Sequence, residues 1–178
     1  MMNFKHNFFY LNQISLNIKT MKTNLMLIIF LAFLLNACNV GVKTDLLTGL
    51  KTSYNGISCE NANLTLDNTK VSSNQFELGK IYHLNLNGVN GFTLKDGKVN
   101  LGAAIVVTDA SGNKVVDVPD LFEQYTTEGI APEQAASLDL SIKILEKYKA
   151  GEKYNWKSKV WDKNGKGIIN AEVSFVVK

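Results

Sequence analysis

Downstream of residue 52, apolar and polar side chains alternate with a period of two. Tyr82, Leu84 and Leu86 alternate with His83, Asn85 and Asn87; Leu138, Leu140, Ile142 and Ile144 alternate with Asp139, Ser141 and Lys143; Val173, Phe175 and Val177 alternate with Glu172, Ser174 and Lys178. Successive side chains of a strand point to opposite faces, so each run predicts a strand with one buried face. Leu101 to Val107 is apolar without alternation, which predicts a strand lying centrally in its sheet or covered on both sides. Asp109-Ala110-Ser111-Gly112-Asn113, Asp162-Lys163-Asn164-Gly165-Lys166-Gly167, Asn90-Gly91 and Asp96-Gly97 separate these runs. Asn-Gly and Asp-Gly supply positive φ at low cost and favour tight hairpins.

One stretch interrupts the alternation. Val118 to Ser137 holds both prolines, Pro119 and Pro132, each followed by an acid within two residues. That arrangement suits the first turn of a helix, where a missing N–H costs nothing and acids meet the positive dipole end. Two short helical turns are expected, with Leu121, Phe122, Tyr125 and Ile130 plugging one end of the fold as the chain crosses between sheets. Seven to nine strands joined by short turns, with this helical crossover, predict an all-β fold: an antiparallel, immunoglobulin-like β-sandwich over residues 53–178. The antibody-type Cys-Trp-Cys core is absent, so the expectation concerns architecture alone. A small closed barrel is the competing arrangement.

The first 37 residues are a different object. Leu25 to Leu35 is an unbroken apolar run with Lys22 ahead of it and Asn36-Ala37-Cys38 behind. A membrane-spanning helix needs about 20 apolar residues, and this run is shorter; its layout is that of a cleaved secretory signal. Leu35-Asn36-Ala37-Cys38 resembles the lipobox of bacterial lipoproteins, with Asn36 in a slot that more often carries a small or hydroxyl residue. The resemblance covers residues 21–38. It implies cleavage between Ala37 and Cys38, lipid modification of the Cys38 thiol (palmitate-type acyl chains) and anchoring in a membrane of the cell envelope. Asn39 is not the aspartate of the family's inner-membrane retention rule, so the implied address is the outer membrane. Met21 begins a complete signal by itself and is the expected translation start. Residues 38–52 carry two glycines and no sustained period, and read as a lipid-anchored tether.

Charge follows the same division. All 19 basic residues are lysines; three of them precede Cys38, while the 16 acids all follow it, so the exported part is neutral. A neutral domain without arginine lacks the guanidinium forks and basic field that nucleic acids require, and nucleic-acid binding is excluded.

Reactive side chains are scarce. Cys59 and His83 are the one thiol and one imidazole after Cys38, too few for a zinc set, and no cofactor or metal is expected. A Cys59–His83 nucleophile pair would require the strands near Ser58 and Tyr82 to pair. A buried, inert Cys59 is the expectation, and an unmodified Cys38 would leave a Cys38–Cys59 disulfide open. Asp162-Asn164-Gly165 begins like a calcium loop but places Lys166, Ile168 and Ile169 where oxygen ligands should follow. Both it and Asp109-Ser111-Gly112 read as hairpin turns. No catalytic set emerges, and the expected domain is not an enzyme.

Aromatic residues supply the remaining candidates. Trp156 shares parity with Tyr154 and Val160, the buried face; Trp161 shares parity with Lys157 and Lys159, the outward one. An outward Trp161, with Tyr125 and Phe122 of the crossover, would form a ligand-binding surface for a sugar or a partner protein. A strand bulge or a covering loop would bury Trp161 instead, and burial is the expectation. Lysines crowd residues 143–166 and read as a solvated sheet edge that discourages strand pairing, with anionic lipid or acidic glycan as the alternative partner. The functional expectation is a lipid-anchored, non-catalytic binding or accessory domain. A carbohydrate-binding module is the second reading and a small envelope enzyme using Cys59 or His83 the third.

Overall fold

The computed structural model describes residues 40–178. The leader, the Met21 start and the Ala37–Cys38 processing site lie outside the described residues. In chain order the elements are β1 (Val40–Thr44), β2 (Lys51–Asn55), β3 (Asn61–Leu66), β4 (Thr69–Lys70), β5 (Gln75–Phe76), β6 (Ile81–Asn87), β7 (Leu94–Lys95), β8 (Lys98–Val99), β9 (Leu101–Asp109) and β10 (Lys114–Val118). A 3-10 turn (Glu123–Tyr125) and α1 (Pro132–Ala135) follow, then β11 (Ser137–Lys143), β12 (Lys153–Asp162) and β13 (Ile168–Val177).

Two antiparallel sheets form an all-β sandwich. The larger has the order β1-β2-β13-β12-β9-β10, and the smaller β11-β6-β3-β4; β7 and β8 form a separate hairpin. β5 adds a short parallel pairing to the end of β13, beyond the reach of β2. Neither sheet closes on itself, so the barrel arrangement does not occur. Inward side chains alternate as the sequence requires. Val107, Trp156, Val160, Val173 and Phe175 of the larger sheet share one core with Leu64, Leu84, Leu86, Leu138 and Leu140 of the smaller. Trp156 is buried, and its indole N–H donates to Ser158 Oγ at 2.9 Å. β9 is central, between β12 and β10, with Ile105 and Val107 buried inward and Ala104 and Val106 half-buried outward.

Three expectations need correction. The segment expected to be a tether, residues 38–52, is built into the fold from Val40 onward: Val40 to Thr44 pair with Lys51 to Asn55 to make the edge of the larger sheet. The strand is short, its exposed Val42 mimics a loop residue, and Gly41 is required because the Tyr54 ring occupies the space of a Cβ there. The lysines of β12 do not mark an edge, since β12 lies inside the sheet and they project from its outer face. The crossover does contain two helical turns, and Pro132 opens α1, but Pro119 precedes an irregular segment instead of a helix. Leu121, Phe122 and Ile130 pack on the core, whereas Tyr125 is 43% exposed.

An ion pair and two backbone donors, those of Ala103 and Leu121, hold the crossover to the sheet. Lys163 Nζ lies 2.7 Å from Asp120 Oδ2 and donates to Thr126 Oγ1. Asp120 Oδ1 accepts the N–H groups of Ala103 and Phe122, and Leu121 N–H donates to Ala103 O at 2.7 Å. Burial raises the Asp120 pKa, but Lys163 and these backbone donors outweigh it and leave the carboxyl below its ordinary value.

One loop device occurs twice. Glu77-Leu78-Gly79-Lys80-Ile81-Tyr82 leads into β6 and Lys149-Ala150-Gly151-Glu152-Lys153-Tyr154 into β12. In both, the tyrosine hydroxyl accepts the backbone N–H of the residue five positions earlier at 2.9 Å, and the glycine adopts φ +81°. β-sandwich domains use such tyrosine corners to fix the start of a strand. The two rings belong to one aromatic pile: Tyr82 stacks on Phe76 (3.8 Å), Phe76 on Phe175 (4.4 Å) and Phe175 on Tyr154 (5.7 Å). Tyr148 meets Tyr154 edge-on, but its buried hydroxyl has no hydrogen-bond partner among the described residues, and burial followed by the neighbouring Tyr154 pushes its pKa up to about 12.

This asymmetry yields a test by urea denaturation. Tyr154→Phe leaves the Lys149 N–H unmatched and is expected to cost about 1–3 kcal/mol, while Tyr148→Phe is neutral or stabilising. The Tyr148 hydroxyl ionises earlier in the unfolded chain than in the folded one. Wild-type stability therefore falls as pH rises from 10 towards about 12, and Tyr148→Phe is expected to reduce that loss.

Candidate functional site: a trough on the outer face of the larger sheet

The outward residues of β12 face small outward residues of β9. In register, Trp161 lies opposite Gly102, Lys159 opposite Ala104 and Lys157 opposite Val106; on the other side they face Ile168, Asn170 and Glu172 of β13. A tall strand beside a short one makes a trough. Trp161 keeps the parity of an unbroken strand and points outward, and its indole lies across Gly102, where a Cβ would collide with the ring. The expected burial is therefore only half realised, through a neighbouring glycine and without any bulge.

A hollow of about 390 Å³ is lined by Ala104, Pro119, Lys159, Trp161, Lys166 and Ile168. A second, of about 380 Å³, shares Ala104 and Lys159 and adds Val106, Lys157 and Glu172. Both fall in the size range of small-ligand clefts. Lys159 Nζ sits 5.8 Å from the Trp161 ring centroid, and Lys157 is 3.8 Å from Glu172. Among the described residues, neither Lys159 nor Lys166 has a carboxylate within 4.0 Å. An apolar floor, one free indole face and two unpaired ammonium groups suit a ligand that combines a flat apolar face with anionic or hydroxyl groups.

The turn at the end of the trough is fixed from beneath. Asp162 is buried; its Oδ2 accepts Thr93 N–H at 2.7 Å and its Oδ1 accepts Asn164 N–H at 2.9 Å. Oδ1 thus holds the β12–β13 turn, and Oδ2 ties that turn to the segment just before β7. Asp109 does the same for the β9–β10 turn, accepting the N–H groups of Ser111 and Asn113 and the Asn113 side-chain amide, which lower its pKa. Among the described residues, no three His, Cys, Asp or Glu side chains stand close enough to share a metal ion.

Phe122 and Tyr125 do not join Trp161. Their rings lie 6.2 Å apart at a separate hollow of about 240 Å³, with Ile130, Gln134, Leu138 and Asp139. The crossover carries them towards β11 of the smaller sheet, away from the β12 face. Cys59 and His83 are also apart, although β3 and β6 do pair. Thr65 lies opposite His83 and Asn61 opposite Asn87, which places Cys59 beyond the far end of β6. Cys59 is buried, and burial pushes its thiol pKa up against the pull of Lys43. His83 is on the outward face, with Nδ1 2.9 Å from Asp139 Oδ2. The alternation signal did not reveal Gly102, Ala104 or Pro119 as site residues; the pair Gly102 and Ala104, two small residues at outward positions of one strand, is the signal that carries them.

No family model and no curated protein matches this chain.

Two measurements check these placements. Gly102→Ala is expected to lift the Trp161 ring off the sheet, shift its emission to the red and cost about 1–3 kcal/mol through overpacking; Trp161→Phe should remove the shift. With Cys38 acylated, a thiol reagent should react slowly with the folded protein and release one equivalent, from Cys59, on denaturation. Two equivalents would contradict acylation.

Proposed function

We propose that the protein is an acylated lipoprotein of the bacterial cell envelope, anchored through Cys38 in the outer membrane, whose β-sandwich is a non-catalytic binding or accessory domain. The observation that carries this reading is Leu35-Asn36-Ala37-Cys38, standing directly behind an apolar run that is too short to span a membrane. Several acyl chains on one cysteine give stable anchoring, since each buried methylene contributes roughly 0.8 kcal/mol. The separation of buried Cys59 from outward His83 favours binding over thiol–imidazole catalysis. The partner of such a domain is an envelope protein or a glycan.

A carbohydrate-binding role is the second reading, favoured by the free face of Trp161 above the Ala104 floor with Lys159 and Lys166 at its rim. Sugar rings present flat C–H faces that stack on an indole. In this reading the ligand is a glycan, and acidic sugars bind more tightly than neutral ones.

Cells fed labelled palmitate should yield a labelled protein whose intact mass lacks residues 1–37, and Cys38→Ser should abolish both label and cleavage. An unlabelled or uncleaved wild-type protein overturns the reading. For the glycan reading, titration of acidic and neutral oligosaccharides should change tryptophan emission in the wild type and leave Trp161→Ala unchanged.

A further inference from the structure

We infer that the β1–β2 hairpin is a membrane-docking element, and that the domain lies against the bilayer with Val42, Leu46 and Leu47 seated at the boundary between lipid headgroups and acyl chains. The inference rests on acylation of Cys38. Side chains that alternation would place in a core are instead turned out here: Leu46 is 92% exposed, Val42 73% and Leu47 63%. They are a concentrated group, occurring within six consecutive residues, immediately downstream of the proposed anchor. Large exposed apolar side chains grouped on one element mark an interaction surface.

The turn that presents the leucines is braced. Asp45 Oδ1 accepts the N–H groups of Leu47 and Thr48, Asp45 O accepts Gly49 N–H at 2.8 Å, and Asp45 N–H donates to Leu50 O at 2.9 Å. Lys70 Nζ lies 3.1 Å from Asp45 Oδ2. The Leu47 N–H first, then Lys70 and the Thr48 N–H, hold the Asp45 carboxyl below its ordinary pKa against the opposing effect of burial. Thr48 and Leu50 point into the fold and are 2% exposed, so the turn turns two residues inward and two leucines outward in a fixed geometry.

The length of chain decides the occupant. A peptide spans at most about 3.6 Å per residue, so the step from Cys38 to Val40 keeps β1 within roughly 7 Å of an acylated cysteine. β1 itself covers about 17 Å at 3.4 Å per residue. A bilayer that holds one end of β1 through the lipid is therefore within reach of the leucines at the other end, and the nearest apolar phase for them is that bilayer. The unpaired backbone of β1 stays in the hydrated headgroup layer, because backbone polar groups do not enter hydrocarbon unsatisfied. Lys51, exposed at the start of β2, faces the phosphates.

The test uses the acylated full protein, purified from membranes and reconstituted in vesicles of phosphatidylethanolamine and phosphatidylglycerol. Acylated Cys38 and buried Cys59 leave a nitroxide label free to report one introduced cysteine, Val42→Cys, Leu47→Cys, or Lys114→Cys on the far edge of the larger sheet. Collisions with oxygen, concentrated in lipid, should exceed those with a water-soluble nickel chelate by several-fold at 42 and 47, with the reverse at 114. Leu46→Asp with Leu47→Asp should leave the protein on the vesicles while moving the label at 42 into water. A label at 47 as wet as that at 114, on protein that still floats with vesicles, overturns docking and leaves anchoring intact. Protein that neither floats nor carries acyl mass overturns both. A label at 47 shielded from both reagents signals a second copy on the hairpin and also overturns docking.

Discussion

Phe175 is the centre of an aromatic pile that joins the two sheets through Phe76 and Tyr82. It is fully buried near the end of β13, and it stacks between Phe76, itself against Tyr82 at the start of β6, and Tyr154 at the start of β12. Tyr82 belongs to the smaller sheet and the other three to the larger, so this pile crosses the interface where no backbone hydrogen bond can. Stacked aromatic pairs contribute about 0.5–1.5 kcal/mol beyond the area they bury. The corner hydroxyls add direction to that packing. Each ties its ring to a loop N–H, so the rings cannot slide without breaking a buried bond.

From this end outward the rest of the architecture follows from parity. Once Phe175 and Tyr154 face inward, Trp156, Ser158 and Val160 must do so as well, and Lys157, Lys159 and Trp161 must face out. The trough is a consequence of the same constraint: β9 places Gly102, Ala104 and Val106 on its outer face, and no side chain there can fill the space beside β12. Asp162 then returns to the inner face, where its carboxylate fixes the turn that closes the trough.

The alternating runs of β6, β11 and β13 were readable because their two faces differ chemically, and the Asp-Gly and Asn-Gly turns because those residues reach positive φ. The inward Trp156 and the buried Cys59 were readable for the same reasons. What resisted reading has particular causes. β1 looks like a tether because its exposed position holds Val42 while the alternate positions hold Gly41 and Lys43, the inverse of the pattern used to find strands. Burial of Trp161 is expected from a bulge or a covering loop; its partial cover comes instead from Gly102, nearly sixty residues away, and only register joins the two. Phe122 and Tyr125, expected to plug one end of the fold, are grouped with Trp161 as aromatic candidates, yet the side on which a crossover leaves the sheet is a tertiary matter. The repeated Gly-x-x-Tyr loops were visible in the chain all along, as two hexapeptides with glycine third and tyrosine last.

The Trp161 indole is spent in part on Gly102, and Lys159 Nζ sits over the ring, so a visitor finds one face at most. A site that stacks one ring, with no second aromatic to close over it, holds its ligand weakly and lets it go quickly. Weakness of that kind is offset when many copies share a plane: on a repetitive polymer, each released unit is recaptured at the high local concentration set by its neighbours, and avidity can exceed the single-site affinity by about 10²–10⁴. A half-covered tryptophan thus favours crowded, two-dimensional display over capture by a lone molecule in solution.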